Sequence, residues 1–467
     1  MSKSFSLKPI KVPFVNTKNR VIKTEIPTPG DVEIIEQMRK YEPISMTGQP
    51  PVVWDRAIGI NVFDRWGNKW LDFSSGVVVA NAGHSNPKVQ DAVREIVNHG
   101  MMHSYCFPNL VRAKLVKVIS ELVPIPDNRV FLLTTGGEST ECAIKLSRTY
   151  GKSKKGDKKI TIVGFDDSFH GRTMGAQLVG GGQKGKAWIT NLDPNIVHVP
   201  FPNAFKYEWA DEKRPDYSDE KCFNHFLASL QNQGVDYDSI AGIMTETFQG
   251  GWVQLMPKGF LKLLREFCDK HDILLIFDEV QAGFGRTGKL FGFMHSDIIP
   301  DLICCGKGIT SGMPLSSVIG RRDVMDLYGP NEMTSTHSGN PVCSAAALAS
   351  IQQILEEDLV GNANKLQDVC HDRLTALQQK YPDYIGFVSG YGLVWAIIFI
   401  KPGTKDYNMD LAHDIVERSM QKGLMFFAPV GSGSTIKVCP PLIINQEALV
   451  EGLDVFEEAV SEAIRNL

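Results

Sequence analysis

Along most of the chain the apolar residues fall into two alternating rhythms. From Asn86, the stretch NPKVQDAVREIVNHG sets Val89, Ala92, Val93, Ile96 and Val97 on one stripe at helical spacing. Asn86 suits an N-cap, Pro87 a first turn and Gly100 a stop, so a helix is predicted between them. Beyond it, short apolar runs alternate with helical stretches: RVFLLTT before ESTECAIKLSRTYG, then KITIVGF, IVHVPF, SIAGIMTE before GFLKLLREFCDKHD, and finally ILLIFDEV, DLICC and LSSVIG. Runs that are apolar on both faces and interleaved with helices predict an α/β architecture, a largely parallel sheet between helical layers. In such a sheet a ligand belongs at the carboxyl ends of the strands.

From about Ser344 the rhythm changes. A long helix, SAAALASIQQILEED, leads to GFVSGYGLVWAIIFI, another helix, the strand TIKVCPPLI and a closing helix, NQEALVEGLDVFEEAVSEAIRNL. This predicts a smaller α+β domain, completed by the N-terminal segment around PVVWDRAIGINVFDRWGNKWLDF. The expected division is an N-terminal arm over 1–50, the N-terminal part of the small domain over 51–85, a large domain over 86–343 and the C-terminal small domain over 344–467. Residues 202–221 are polar, aromatic and charged, and read as a surface insertion.

Composition narrows the partners. The 467 residues allow two or three domains with cores of their own, and 43% hydrophobic content is ordinary for a globular protein. With 49 Lys and Arg against 53 Asp and Glu, and no block of like charge, neither nucleic acid nor an anionic membrane is expected as a partner. No apolar run approaches the roughly 18 to 20 residues of a membrane span. The first 24 residues hold five Lys and one Arg with no acid, yet Pro9 and Pro13 spoil an amphipathic transit helix, so this segment reads as a loose arm. Nine scattered cysteines without a CxxC pair suit a reducing cytoplasm, and no metal site is expected.

Several chemically unusual residues fall just after predicted strands. Lys307, in PDLICCGKGITSG, follows a short apolar run with a glycine on each side. A buried ammonium is costly, so such a lysine must be paired, neutral or covalently used, and a desolvated amine can form a Schiff base. Asp278 ends the apolar run of ILLIFDEV and would suit a pyridinium nitrogen as partner. The flanking Gly306 and Gly308 would let a flat ring approach the backbone. Gly136 and Gly137, between a strand and a helix, offer free N–H groups to a phosphate. In DDSFHGRT, Phe169 offers a stacking face and Arg172 a fork for an anion. Together these describe a pyridoxal 5'-phosphate site. Singly, each has an ordinary explanation: a snorkelling strand-end lysine, an Asp-Glu pair capping a loop, a strand-to-helix turn, a core phenylalanine, a surface arginine.

Order and spacing across the whole set decide between these readings. From about Pro51 to the C-terminus the chain resembles the class III, fold-type I pyridoxal phosphate aminotransferases, the group of 4-aminobutyrate, ornithine and ω-amino acid aminotransferases. The resemblance rests on LDFSSGVVVANAGHSNPKV, SFHGRTMGAQ, IFDEVQAGFGRTGKLF, PDLICCGKGITSGMPLS and STHSGNPVCSAAALAS. It implies a large domain with a mostly parallel seven-stranded sheet between helices, plus the smaller α+β domain. By the same resemblance Lys307 would be the Schiff-base lysine and proton shuttle, and Asp278 the partner of the ring nitrogen. Val280 would pack on the ring opposite Phe169, Gln281 would bond the ring hydroxyl, and Glu246 would line the site near Asp278. Gly136 and Gly137 would hold the phosphate, assisted by Thr336 from a second subunit, which makes a homodimer, or a dimer of dimers, obligatory. The implied reaction passes an amino group from an amine to a 2-oxo acid by a ping-pong sequence.

Two departures bear on substrate. Many relatives read E-P-V-Q-G-E-G-G where this chain has ETFQGGWV, so a gating glutamate is replaced by Gly251. The arginine it pairs with, which grips an α-carboxylate, is replaced by Lys437, which cannot form the bidentate fork. Arg172 remains for a carboxylate or sulfonate at the far end of an ω-amino acid, and pyruvate is the favoured acceptor. Val77, Tyr105, Phe107 and Trp252 are candidates for the pocket wall, and each could equally be core. Two rivals stand beside this reading. SGMPLS and SGNPVCSAAALAS also resemble the amino-acid racemases and epimerases of the same fold. GFGRTG, residues 283–288, satisfies a dinucleotide-binding pattern and would point to an oxidoreductase, but the helix it should open is not evident in KLFGFMHSDIIPD.

Overall fold

A computed structural model describes residues 4–467. Its central sheet has seven strands, in the spatial order Asn128–Leu133, Ser316–Arg321, Leu302–Cys305, Leu274–Asp278, Ile240–Glu246, Thr161–Phe165 and Ile196–Val199. Only Ser316–Arg321 runs against its neighbours; the remaining strands share one direction. Every residue of Thr161–Phe165, Ile240–Glu246, Leu274–Asp278 and Leu302–Cys305 is buried, which is why these strands read as unbroken apolar runs. From Thr161–Phe165 the chain moves outward to Ile196–Val199, then returns to the other side at Ile240–Glu246. That reversal opens a crevice at the carboxyl ends of the two strands.

Local sequence sets the helices around it. The predicted helix after Asn86 spans Pro87–Asn98, with the Asn86 side chain accepting from the N–H of Lys88 and Val89. Gly136–Lys155 follows the first sheet strand directly and is closed by a reciprocal cap: Thr135 accepts from the Glu138 N–H while Glu138 accepts from the Thr135 N–H. Among the described residues no helix is long and apolar enough to cross a membrane.

Two further sheets flank this centre. Ile385–Tyr391, Val394–Phe399 and Thr435–Val438 form an antiparallel three-stranded sheet. The other joins Val15–Asn16, Val21–Ile22, Lys69–Asp72, Asn61–Phe63 and Arg56–Ile58, with Leu424–Met425 alongside Lys69–Asp72. The segment expected to be a loose arm is therefore tied in over much of its length. Ile22 and Ile26 are buried, Arg20 bonds Glu451 and the Lys422 carbonyl, and Thr28 caps the helix Pro29–Tyr41. Two-residue strands leave almost no periodicity, and the lysine-rich composition masked them. The stretch read as a surface insertion likewise sends Asn203, Phe205 and Ala210 into the interior.

The GFGRTG segment has a structural task. It opens no helix; Arg286 is fully buried instead and reaches the carbonyls of Leu393 and Pro440, the Ser75 hydroxyl and the Asn81 side-chain oxygen. One guanidinium thus fastens segments from three distant parts of the chain, and the dinucleotide reading falls. None of its acceptors is a carboxylate, and burial pulls its pKa down to about 10. Arg286→Met would strand these buried oxygens. We expect it to lower stability by about 3 kcal/mol or more, measured as a shift of the urea midpoint.

Candidate functional site

Five strand ends deliver side chains to the crevice. Asp278 closes Leu274–Asp278 and lies in register with Glu246 on one neighbouring strand and Cys304 on the other. Lys307 starts the turn after Leu302–Cys305, Gly136 and Gly137 follow Asn128–Leu133, and Phe169, His170 and Gly171 follow Thr161–Phe165. With Phe248, Val280 and Gln281 these residues line one pocket of about 140 Å³. The Phe169 N–H donates to Glu246 Oε2 at 3.0 Å, bridging the reversal in strand order.

The pocket floor is crowded with ionisable groups. Lys307 sits in the left-handed backbone region, at φ 42°, a costly placement for a residue with a Cβ. Burial holds its amine below the ordinary lysine range, and the nearby Asp278 and Glu246 offset this only in part. Asp278 Oδ2 lies 2.7 Å from His170 Nδ1, and Oδ1 accepts from the Val280 N–H at 3.0 Å. Burial alone would lower the His170 pKa, but its bond to Asp278 and that carboxylate's charge leave it raised. Burial pushes Glu246 up to about 7 although it accepts from the N–H groups of Phe169 and Gly250. Glu279, the neighbour of Asp278, is also pushed to about 7 by burial; it holds Thr247 and the N–H groups of Gly292 and Phe293, away from the pocket lining.

Pyridoxal phosphate fits this donor set. The first N–H groups of a helix have no intrahelical partner, and the cap uses those of Thr134, Thr135 and Glu138, leaving Gly136 and Gly137 for a phosphate. A Cβ on Gly136 would stand 2.8 Å from Val280, so the bare backbone is what lets the helix start against that residue. A buried carboxylate and a partly buried lysine then face the same cavity, as a cationic ring and an aldehyde require. Among the described residues, no group of three or more His, Cys, Asp or Glu is placed to hold a metal ion.

The other expected residues are distributed differently. Thr336 is exposed, outside the lining of its own chain's pocket, on a segment whose Thr334 meets the Tyr105 hydroxyl at 3.0 Å. Arg172 is exposed, with its guanidinium 5.7 Å from the Phe169 ring centre. Val77 and Phe107 are 44% and 74% exposed. Lys437 is buried beside the pocket, bonded to the Gly250 carbonyl and Gln281 Oε1. Trp252 does not belong to the wall. It is buried in a separate apolar cluster, stacked on Phe205 and close to Tyr407, because residues 202–221 fold inward there. The glycines beside Lys307 also have another purpose. A Cβ at Gly308 would strike the Asn81 amide at 2.3 Å, and one at Gly306 would lie 3.3 Å from Val280 and 3.5 Å from the Gly136 Cα. They admit close protein neighbours. His170 and Phe248 were missed; the histidine stood inside SFHGRT, but only the fold brings it to Asp278.

Comparison with known proteins gives a consistent placement. The model of the family described as aminotransferase class-III matches residues 44–460. The chain is 32% identical to a 4-aminobutyrate aminotransferase of Mycobacterium leprae, covering 95% of this chain and 99% of that protein. It is 30% identical to an alanine/serine racemase of Pyrococcus horikoshii, covering 98% and 96%. The crystal structure of a transaminase from the marine bacterium Virgibacillus superposes with a TM-score of 0.82 at 26% identity, covering 93% of this chain and 99% of that one.

The raised Glu246 and Glu279 values fix a sign for pH dependence. Each folded pKa of about 7 lies above the ordinary 4.5, so the folded chain holds protons that the unfolded chain releases. Stability of the PLP-free protein should fall as pH rises from about 4.5 to about 7. Glu246→Gln should remove its share, on the order of 2 kcal/mol, read from denaturation midpoints at pH 5 and 7.5.

Proposed function

The chain belongs to the class-III aminotransferases, and from that premise we propose that it moves an amino group from an ω-amino acid or amine to a 2-oxo acid, pyruvate being the favoured acceptor, by a ping-pong sequence. The observation that carries this reading is the partly buried Lys307, sharing a pocket with Asp278 and with the glycine-led start of Gly136–Lys155.

Pyridoxal phosphate, when bound, supplies an aldehyde that captures amines and a cationic ring that draws electrons from the adjoining carbon. Lys307 is the amine that attaches it. Desolvation favours the neutral form, so the same Nζ can take a proton from the donor carbon and return one elsewhere. Asp278, steadied by His170 and the Val280 N–H, would be the partner of the ring nitrogen. Gly136 and Gly137 would hold the phosphate, Phe169 and Val280 would face the ring, Gln281 would donate to its hydroxyl and Glu246 would close the pocket edge.

Substrate choice follows from missing grips. Lys437 spends its ammonium on Gly250 and Gln281, so an α-carboxylate finds no arginine fork there. Gly251 supplies no gating carboxylate, and a side chain at 251 would press on the Gly431 Cα at 3.3 Å. Arg172, exposed beside Phe169, is the cation for a distant carboxylate or sulfonate. Val77, Tyr105 and Phe107 complete the wall in a homodimer, in which Thr336 of a second copy reaches the phosphate. An incompletely covered apolar face supports that assembly: Val97, Met102, Phe107 and Leu110 are 40%, 61%, 74% and 69% exposed. Nine free cysteines, eight of them buried, suit a reducing cytoplasm. A second reading, amino-acid racemisation, draws support from the similarity to the Pyrococcus horikoshii protein.

Three outcomes test the proposal. Lys307→Ala should lose several orders of magnitude in turnover, and borohydride should fix the cofactor to position 307 only in the wild type. In a panel of amines and amino acids, ω-amino donors with pyruvate should lead; strong glutamate or 2-oxoglutarate turnover would overturn the substrate reading. Amino donor alone should abolish the bound cofactor's visible absorbance, whereas a racemase would keep it and invert the donor's chirality.

A further inference from the structure

Lys437 is a buried cation that the reaction outlined above does not use. It projects from Thr435–Val438, in the small antiparallel sheet, yet its ammonium reaches the floor of a pocket built by the large one. Nζ donates to the Gly250 carbonyl and to Gln281 Oε1, both at 2.9 Å, and lies 5.5 Å from the centre of the Phe248 ring. Gly250 in turn donates its N–H to Glu246 Oε1 at 3.0 Å. The lysine is 3% exposed. It therefore sits within the pocket's own polar network rather than at its entrance.

The chemistry of the two partners gives this contact a direction. An ammonium carries donors and no acceptor, so it can bind only the oxygen end of a carboxamide. The two ends of a glutamine side chain are nearly isosteric, and without such a partner the amide could turn either end to a ligand. Held by Lys437, Gln281 keeps Oε1 occupied and Nε2 as its remaining end. Packing agrees: a Cβ at Gly250 would lie 2.6 Å from that Nε2, so the amide rests against a bare Cα with no room for a bulkier neighbour.

Building on the cofactor assignment above, we propose that Lys437 is a positioning residue, locking the Gln281 amide so that Nε2 is the donor offered to the ring oxygen of pyridoxal phosphate. The position that would grip a substrate carboxylate through an arginine has become part of the cofactor's support. A fixed donor stabilises the ionised form of that oxygen, so the contact sets both cofactor affinity and the pH at which the bound chromophore changes colour.

The test is a titration of pyridoxal phosphate into cofactor-free wild type, Lys437→Met, Gln281→Ala and the double variant, followed by absorbance against pH. Each single variant should bind about tenfold more weakly, and both should move the chromophore's midpoint in the same direction. The double variant should be no weaker than Gln281→Ala. Unchanged affinity and midpoint in Lys437→Met would overturn the proposal; so would a further tenfold loss on adding Lys437→Met to Gln281→Ala, because the lysine would then act on its own. If melting curves show that Lys437→Met does not fold, Gln281→Glu serves instead, since it keeps an oxygen for the ammonium and removes the offered donor. Wild-type affinity in Gln281→Glu would count against the proposal equally. Failure of the wild type itself to bind pyridoxal phosphate would sink the cofactor assignment, a different result from any of these.

Discussion

The desolvated amine of Lys307 is the constraint around which the rest of the pocket is arranged. Removing an ammonium from water costs far more than one good contact returns, so the group must shed its proton or be surrounded by compensating charge. Both responses are present. Burial lowers the lysine, and Asp278 and Glu246 pull the other way. Those carboxylates are themselves buried, so each needs donors: His170 and the Val280 N–H for one, the N–H groups of Phe169 and Gly250 for the other. Burial pushes Glu246 up to about 7, and the bond to Asp278 leaves His170 raised. Parallel strands make this possible because they bring Asp278 and Glu246 side by side at the end of the sheet.

Two further buried cations extend the same logic to the joints of the fold. Arg286 and Lys437 both satisfy their charge with neutral oxygens, and both cross between segments far apart in sequence. Such partners solvate a cation without a second buried charge. They also make geometry stringent, since carbonyls and amides cannot follow a displaced ligand as a flexible carboxylate can. Lys437 thus holds one residue of the pocket lining, Gln281, while Arg286 ties together segments outside that lining.

Much of this was legible in the sequence wherever the signal was local. The seven strands of the central sheet announced themselves as apolar runs, Asn86 and Pro87 marked a helix start, and Lys307, Asp278 and Gly136 stood at strand ends where a crevice belongs. What escaped depended on distant pairing. Nothing near Trp252 reveals that Phe205 stacks on it, and nothing near His170 reveals Asp278. The protein neighbours of the glycines beside Lys307 were equally illegible, because a missing side chain does not say what packs in its place. The N-terminal strands failed for a different reason: at two residues each they carry too little pattern, and their order comes from Lys69–Asp72 and Glu451.

Backbone strain connects these features. Ser75, Val77 and Val78 all stand at positive φ, at 48°, 68° and 63°, with Gly76 between them at 57°. A left-handed turn costs roughly 1–2 kcal/mol for each residue bearing a Cβ, and more is expected of branched valines. It is pinned from outside: Ser75 Oγ donates to the Cys439 carbonyl at 2.6 Å, and Arg286 bonds both that hydroxyl and the Asn81 side chain. Asn81 is also the group against which Gly308 packs, and Gly308 follows Lys307, itself at φ 42°. Two strained turns are therefore coupled through one asparagine and one arginine. Any side chain at 308 would collide with Asn81, which Arg286 holds from the other side. The buried arginine of a glycine-rich segment that mimics a nucleotide-binding loop thus fastens Ser75 and Asn81, and the loop that begins at Lys307 packs against that asparagine through Gly308.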